Sequence, residues 1–174
     1  MAKTTKEETK TMSEETTTTG AANDFSFNLE NDFKQDPLIP NGNYFGNVID
    51  VTFDAEKANI AWKVALDGNG GYLSDGETPV DGIHVFYRNY LPKKGDENIQ
   101  NSNGKGNKFQ TKVNMLKTFA DGMKVNMNSM DVIQEAIVNS EFVGKTVLVT
   151  VKIQEYPQGS GQFNNSCDKM VAAE

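Results

Sequence analysis

The chain is poor in the residues on which most catalytic and metal sites depend. Its 174 residues include one cysteine (Cys167), one histidine (His84), one tryptophan (Trp62) and one arginine (Arg88). A single cysteine excludes an internal disulfide framework and fits a reducing compartment. One histidine and one cysteine leave too few ligands for a zinc site within the chain. No apolar run approaches the ~20 residues of a membrane helix. The start, "MAKTTKEETK", has no apolar stretch of the kind a secretory signal needs. A cytoplasmic location with no membrane partner is the expectation.

Signs of catalysis are equally sparse. No glycine-rich loop ends in Lys-Ser/Thr, so there is no P-loop; "DGNGG" opens no helical pattern and reads as a turn. A nucleophilic triad needs a base, and His84 sits mid-strand with Asp81 too near in sequence for a dyad on the same face. Asp67, Asp75, Glu77 and Asp81 cluster, but their spacing matches no calcium loop and reads as a solvated turn. A metal-dependent nuclease would require the fold to gather such carboxylates. No catalytic residue, metal or cofactor is assigned, and the chain is expected not to be an enzyme.

What is present is an acidic chain with one basic interval. Net charge is −7, yet residues 92–112 carry five lysines against two acidic residues. Residues 1–36 hold a Thr/Glu/Lys-rich stretch with almost nothing to bury, expected to be disordered over 1–23. "DFSFNLENDF" (24–33) adds three phenylalanines and a leucine. It reads as a docking arm, a route to a homo-oligomer, or as a disordered stretch with incidental aromatics.

The domain is placed at 37–174. In "NYFGNVIDVTF", Phe45, Ile49, Val51 and Phe53 share one parity, opposite Tyr44, Gly46, Asp50 and Thr52, which predicts a strand with the first set buried. "IAWKVAL" alternates likewise through Ile60, Trp62, Val64 and Leu66, and Ile83–Leu91 forms a third strand. Residues 92–108, polar and Asn/Gly-rich, read as a mobile loop. Phe109, Val113, Leu116 and Ala120 then recur at helical spacing. Ser129 caps a second helix with Val132, Ile133, Ala136 and Ile137 on its apolar face. Last, "VGKTVLVTVKIQEYPQGSGQFNNS" is a hairpin with Val147, Val149, Val151 and Ile153 pointing one way. The expected fold class is mainly β with inserted helices: a five-stranded OB-fold-like barrel with the helical insertion between strands 3 and 4, the alternative being a mixed α+β domain of another sheet order, which gives the same string of elements.

The third strand carries the candidate site. His84, Phe86, Arg88 and Tyr90 share one face, and the basic interval follows through Lys93, Lys94, Lys105, Lys108 and Lys112. Rings on which unstacked bases lie, with cations tracking phosphates, are what single-stranded nucleic acid requires. Lys63, Lys152 and Tyr156 extend the proposed surface. Both faces of this strand are apolar, so the alternative, Phe86 and Tyr90 in the core with Val85 and Tyr87 outside, stays open.

Taken together, "LIPNGNYFGNVIDVTF", "DGIHVFYRNYL", "NMLKTFADGM" and "EFVGKTVLVTVKIQEYPQGSGQFNN" resemble the small phage proteins of replication and recombination modules that are built as OB-folds and related to single-stranded DNA-binding proteins. The resemblance spans roughly residues 37–172, with Gly144, Lys145, Tyr156 and Asn164 matching its closing strands. The chain departs from the family in the long 92–108 interval, the Thr/Glu-rich leader and the mildly acidic "DKMVAAE". The resemblance implies sequence-tolerant binding of single-stranded DNA, with replication or recombination proteins as partners. The rival expectation is a structural or assembly component, of a virion for instance, that binds no nucleic acid.

Overall fold

The computed structural model describes Ser26 and residues 28–173. Two compact units are present, Met1–Lys34 and Gln35–Glu174. The second unit begins at Gln35. Gln35 belongs to it, donating from Nε2 to the carbonyl of Phe163. In the first unit a short helix α1 (Leu29–Asp32) starts at Asn28, whose side-chain oxygen accepts from the N–H groups of Glu30 and Asn31. Residues 1–23, expected to be disordered, and Asp24, Phe25 and Phe27 of the expected arm lie outside the described residues.

The second unit is mainly β. Strands β1 (Gly42–Asp54), β2 (Asn59–Leu66), β3 (His84–Tyr90), β4 (Thr146–Glu155) and β5 (Phe163–Ala172) form one open antiparallel sheet in the order β3-β2-β1-β4-β5. Helices α2 (Lys108–Met123) and α3 (Met130–Val138) follow β3 in the chain and precede β4. Among the described residues no helix is long and apolar enough to cross a membrane.

β1 is the spine of the sheet. Residues 42–47 pair with β4 and residues 46–54 with β2, so Gly46 faces both Val147 and Leu66. A Cβ at Gly46 would lie 2.6 Å from the carbonyl oxygen of Ala65 and 2.7 Å from a Val64 methyl, closer than packed atoms approach. The crossing is therefore open only to glycine.

The expected alternation of β1 holds only in its second half. Val51 is buried and Phe53 half-buried, but Phe45 is 50% exposed and Ile49 39% exposed, while Gly46 and Val48 are buried. The register against β2 shifts between Val48 and Asp50. This β-bulge inserts one residue and exchanges the two faces, so a single parity cannot run the length of the strand.

The core packs the inner faces of β2 and β4 against the helices. Ile60, Trp62, Val64 and Leu66 are buried, as are Val147, Val149 and Val151. Trp62 lies with its ring centroid 5.2 Å from Phe119 of α2 and 5.1 Å from Phe142, and Tyr87 stacks on Phe119 at 5.2 Å. Its indole N–H donates to Asn89 Oδ1 at 2.7 Å, so the buried polar edge of each residue satisfies the other. Helix α2 is capped by Asn107 Oδ1, which accepts from Gln110 N at 2.9 Å, and α3 by Ser129 Oγ, which accepts from Val132 N at 3.2 Å. The apolar stripe of α2 reaches the core mainly through its C-terminal half. Phe119, Ala120 and Met123 are buried, whereas Phe109 is 40% exposed.

Trp62→Ala is expected to cost ~3–5 kcal/mol of stability, as for other large buried aromatics. Asn89→Ala, which strands the indole N–H without a partner, should cost ~1–3 kcal/mol. Urea denaturation midpoints check both, and a neutral Asn89→Ala would contradict the role given to this bond.

Candidate nucleic-acid interface

Among the described residues β3 pairs only with β2, and its two faces are unequal. Val85 and Asn89 are buried and Tyr87 half-buried, whereas Phe86 is 54% and Tyr90 58% exposed, with His84 and Arg88 exposed beside them. The rings therefore do not belong to the core. Lys63 stands directly across from Phe86 and Ala61 across from Arg88, so Lys63 joins this face and the small Ala61 leaves space beside the guanidinium. Asp50 of β1 stands opposite Lys63. Alternate residues on a strand lie about 6.6–6.8 Å apart, which sets the two rings about 13 Å apart with Arg88 between them.

This face borders a cleft of about 760 Å³. His84, Phe86, Arg88 and Tyr90 line one wall, and Asn165, Ser166 and Cys167 of β5 line the other. Pro37, Ile39, Leu73 and Thr78 lie at the end where β3 begins. β3 and β5 are the two outer strands of the sheet, and each contributes an unpaired edge. Bonds from Leu66 N–H to the Ile83 carbonyl and from Leu91 N–H to the Ala58 carbonyl fix the phase of the β2–β3 ladder. The backbone groups of His84, Phe86, Arg88 and Tyr90 consequently point away from β2, as residues between the bonded pairs do.

Most polar side chains in the rest of the lining are already occupied. Asn165 bonds with both its amide oxygen and nitrogen to the backbone of Ile39, at 2.8 and 2.7 Å. Ser166 Oγ donates to Asp168 Oδ1 at 2.7 Å, and Thr78 Oγ1 donates to Asp75 Oδ2 at 2.6 Å. Burial, reinforced by the Asp168 charge, pushes the Cys167 thiol up to about 12, so it stays protonated at neutral pH and is a poor nucleophile. Arg88 has neither an ion pair nor a side-chain hydrogen bond among the described residues. Among those residues no group of three or more His, Cys, Asp or Glu side chains is arranged to hold a metal ion.

The basic interval is built, not loose. Asp96, 1% exposed, opens a short 3-10 helix (Asp96–Asn98). Its Oδ2 accepts from Lys112 Nζ at 2.8 Å and from the Lys93 N–H at 3.0 Å. Its Oδ1 lies 3.9 Å from Lys108 Nζ. Lys112 Nζ also donates to the carbonyl of Leu91, tying the end of β3 to α2. Beyond it, Lys108 N–H donates to the Ile99 carbonyl and Asn101 N–H to that of Gly106, while Asn101 Nδ2 donates to the carbonyl of Lys105. The expected mobile loop is thus a small hydrogen-bonded excursion anchored on a buried carboxylate.

These contacts sort the expected site residues. Lys63, Phe86, Arg88 and Tyr90 share one surface. Lys93, Lys94 and Lys105 are exposed and form no ion pair among the described residues. Lys108 and Lys112 are drawn to Asp96. Lys152 bonds Asp168 at 2.8 Å, so much of its charge is neutralised within the β4–β5 pair. Tyr156 is 71% exposed at the β4–β5 turn, outside the cleft lining. Sequence reading missed Ile39 and Asn165. Their contact joins residues 126 positions apart and leaves no local signal.

Lys112, first through its hydrogen bond, holds the Asp96 carboxyl below its ordinary value. A carboxyl depressed in the folded state stabilises the fold above its unfolded pKa of ~3.9, and that stabilisation is lost as pH falls through the folded value. The wild-type denaturation midpoint should therefore fall below about pH 4. Asp96→Asn, less stable at neutral pH, should show a shallower acid decline. Parallel acid slopes for the two proteins would remove Asp96 from this role. No protein-family model matches the chain, and no curated protein does, so the functional reading rests on the cleft and the basic interval.

Proposed function

We propose that the protein binds single-stranded DNA without strong sequence preference and without catalysis, in replication or recombination of the phage type that its motifs resemble. The observation that carries this reading is Arg88, the single arginine, exposed and unpaired among the described residues between two exposed rings in the wall of a cleft. Bases stack on rings of any aromatic residue, and a guanidinium serves either phosphate or base face. Tolerance of sequence is supported by the rest of the lining, where Asn165, Ser166 and Thr78 already have partners and offer few directional donors. Exposed Lys93, Lys94 and Lys105 supply the cations that follow a backbone. In the same reading the open sheet is an OB-type barrel with β3 alongside β5. Five strands, each antiparallel to its neighbours, set those two edges in the same direction, and both border the cleft. Replication or recombination proteins are the partners this role implies.

A second reading, an assembly component that binds no nucleic acid, draws on Leu29 and Phe33, 75% and 61% exposed in the first unit.

Fluorescence anisotropy with single- and double-stranded oligonucleotides at two salt concentrations tests both. Single strands should bind more tightly, and Arg88→Ala or Tyr90→Ala should each weaken binding roughly tenfold or more, since a stacked base is worth ~1–3 kcal/mol. Both side chains are exposed, so the denaturation midpoint should hold. Replacing Lys93, Lys94 and Lys105 with Gln should flatten the salt dependence, by about 0.7 in log–log slope per lost phosphate contact. Concentration-dependent self-association with no oligonucleotide binding would replace this reading with the second.

A further inference from the structure

The cleft is bridged by hydrogen bonds at the end where β3 begins. Residues 37–39 cross it where β3 begins, bonded on both sides. On one side Ile39 N–H donates to Asn165 Oδ1 of β5, and its carbonyl accepts from Asn165 Nδ2. On the other, Leu38 N–H donates to Ser74 Oγ and its carbonyl accepts from Ser74 N–H, both at 2.8 Å. This strap joins β5 to the loop that leads into β3, and Pro37 and Ile39 stand in the cleft wall there. At the opposite end Tyr90 is followed directly by Leu91 and the basic interval, where Lys93, Lys94 and Lys105 face solvent. Moving inward from those lysines, the exposed side chains of β3 are Tyr90, Arg88, Phe86 and His84, and then the strap.

Resting on the single-stranded DNA reading above, we propose that this cleft receives the end of a strand rather than its interior. A polyanion gathered by the lysines can run along β3 and stack on Tyr90 and Phe86. To continue it would have to pass through residues 37–39, which four hydrogen bonds hold in place. A chain with a free end stops there with its last nucleotide beside His84. A strand with no end must instead enter and leave by the same mouth, and only part of it can reach both rings. The volume, about 760 Å³, lies in the range that takes a ligand of one to a few aromatic units. The unpaired backbone groups of His84, Phe86, Arg88 and Tyr90 line the path and can bond any base edge or terminal hydroxyl.

The test compares linear and covalently closed circular single-stranded DNA of one sequence and length, with linear oligonucleotides whose 3′ or 5′ end is blocked by a stable hairpin. The linear strand should bind about tenfold more tightly than the circle, the worth of one stacked ring. Blocking one of its ends should reproduce the loss and identify the end that enters. Asn165→Ala, which cuts both side-chain bonds to the strap, should narrow the gap between circle and line. Equal binding of circle, line and both blocked forms, with Arg88→Ala still weakening all four, would overturn end capture and leave the single-strand reading standing. No binding of any form would remove both.

Discussion

The hydrogen bond from the Trp62 indole to Asn89 decides which face of β3 meets solvent. Trp62 cannot leave the core without exposing the rings packed on it, and its buried N–H requires an acceptor. Asn89 supplies that acceptor from an inward position on β3. Side chains alternate along a strand, so fixing Asn89 inside fixes Arg88 and Tyr90 outside, and Phe86 with them. A register slip of one residue would bury Arg88 and expose Asn89, leaving two polar groups unsatisfied. The polar pair in the core and the aromatic-cationic row on the surface are therefore one constraint seen from two sides.

The sequence was legible where one face of an element is plainly apolar and the other plainly not. β2 and β4 are of this kind, and so are the caps of α3. β3 was not, because Val85, Phe86, Tyr87 and Tyr90 are all apolar enough to be buried, and the residue that settles the matter is polar. β1 misled for another reason. Its alternation is real on each side of the bulge at Val48–Asp50, but a bulge leaves no signature in composition. The basic interval looked unstructured because it has few apolar residues and no apolar periodicity. Its order comes from Asp96, whose burial depends on Lys112 sixteen residues later, and no local pattern announces such a pair.

Charge shows the same dependence on position. A net of −7 speaks against a polyanionic ligand, and the count of lysines in 92–112 speaks for one, yet neither figure describes the surface. Lys108, Lys112 and Lys152 are taken up by Asp96 and Asp168. The cations left near the cleft are few: Arg88, Lys63 and the lysines at 93, 94 and 105. A small number of unpaired charges beside apolar rings in a concave surface acts more strongly than a larger number spread over solvent, because low-dielectric walls concentrate their field. The charge on which the proposed interface would draw is thus local, and the remainder of the chain is acidic.

The spine role of β1 has a consequence for how the chain is made. Its first half pairs with residues 146–151 and its second half with residues 59–66. When β1, β2 and β3 have been synthesised, the N-terminal half of β1 still has an open edge, and the residues that will cover it lie about a hundred positions ahead. Their arrival closes a long loop, the slow kind of step in β-rich folding. Until then the nascent chain presents an unpaired strand carrying Tyr44 and Phe45, a surface on which premature association between chains would start. The long polar interval and two helices that separate β3 from β4 therefore set the length of time for which the half-built sheet must remain single.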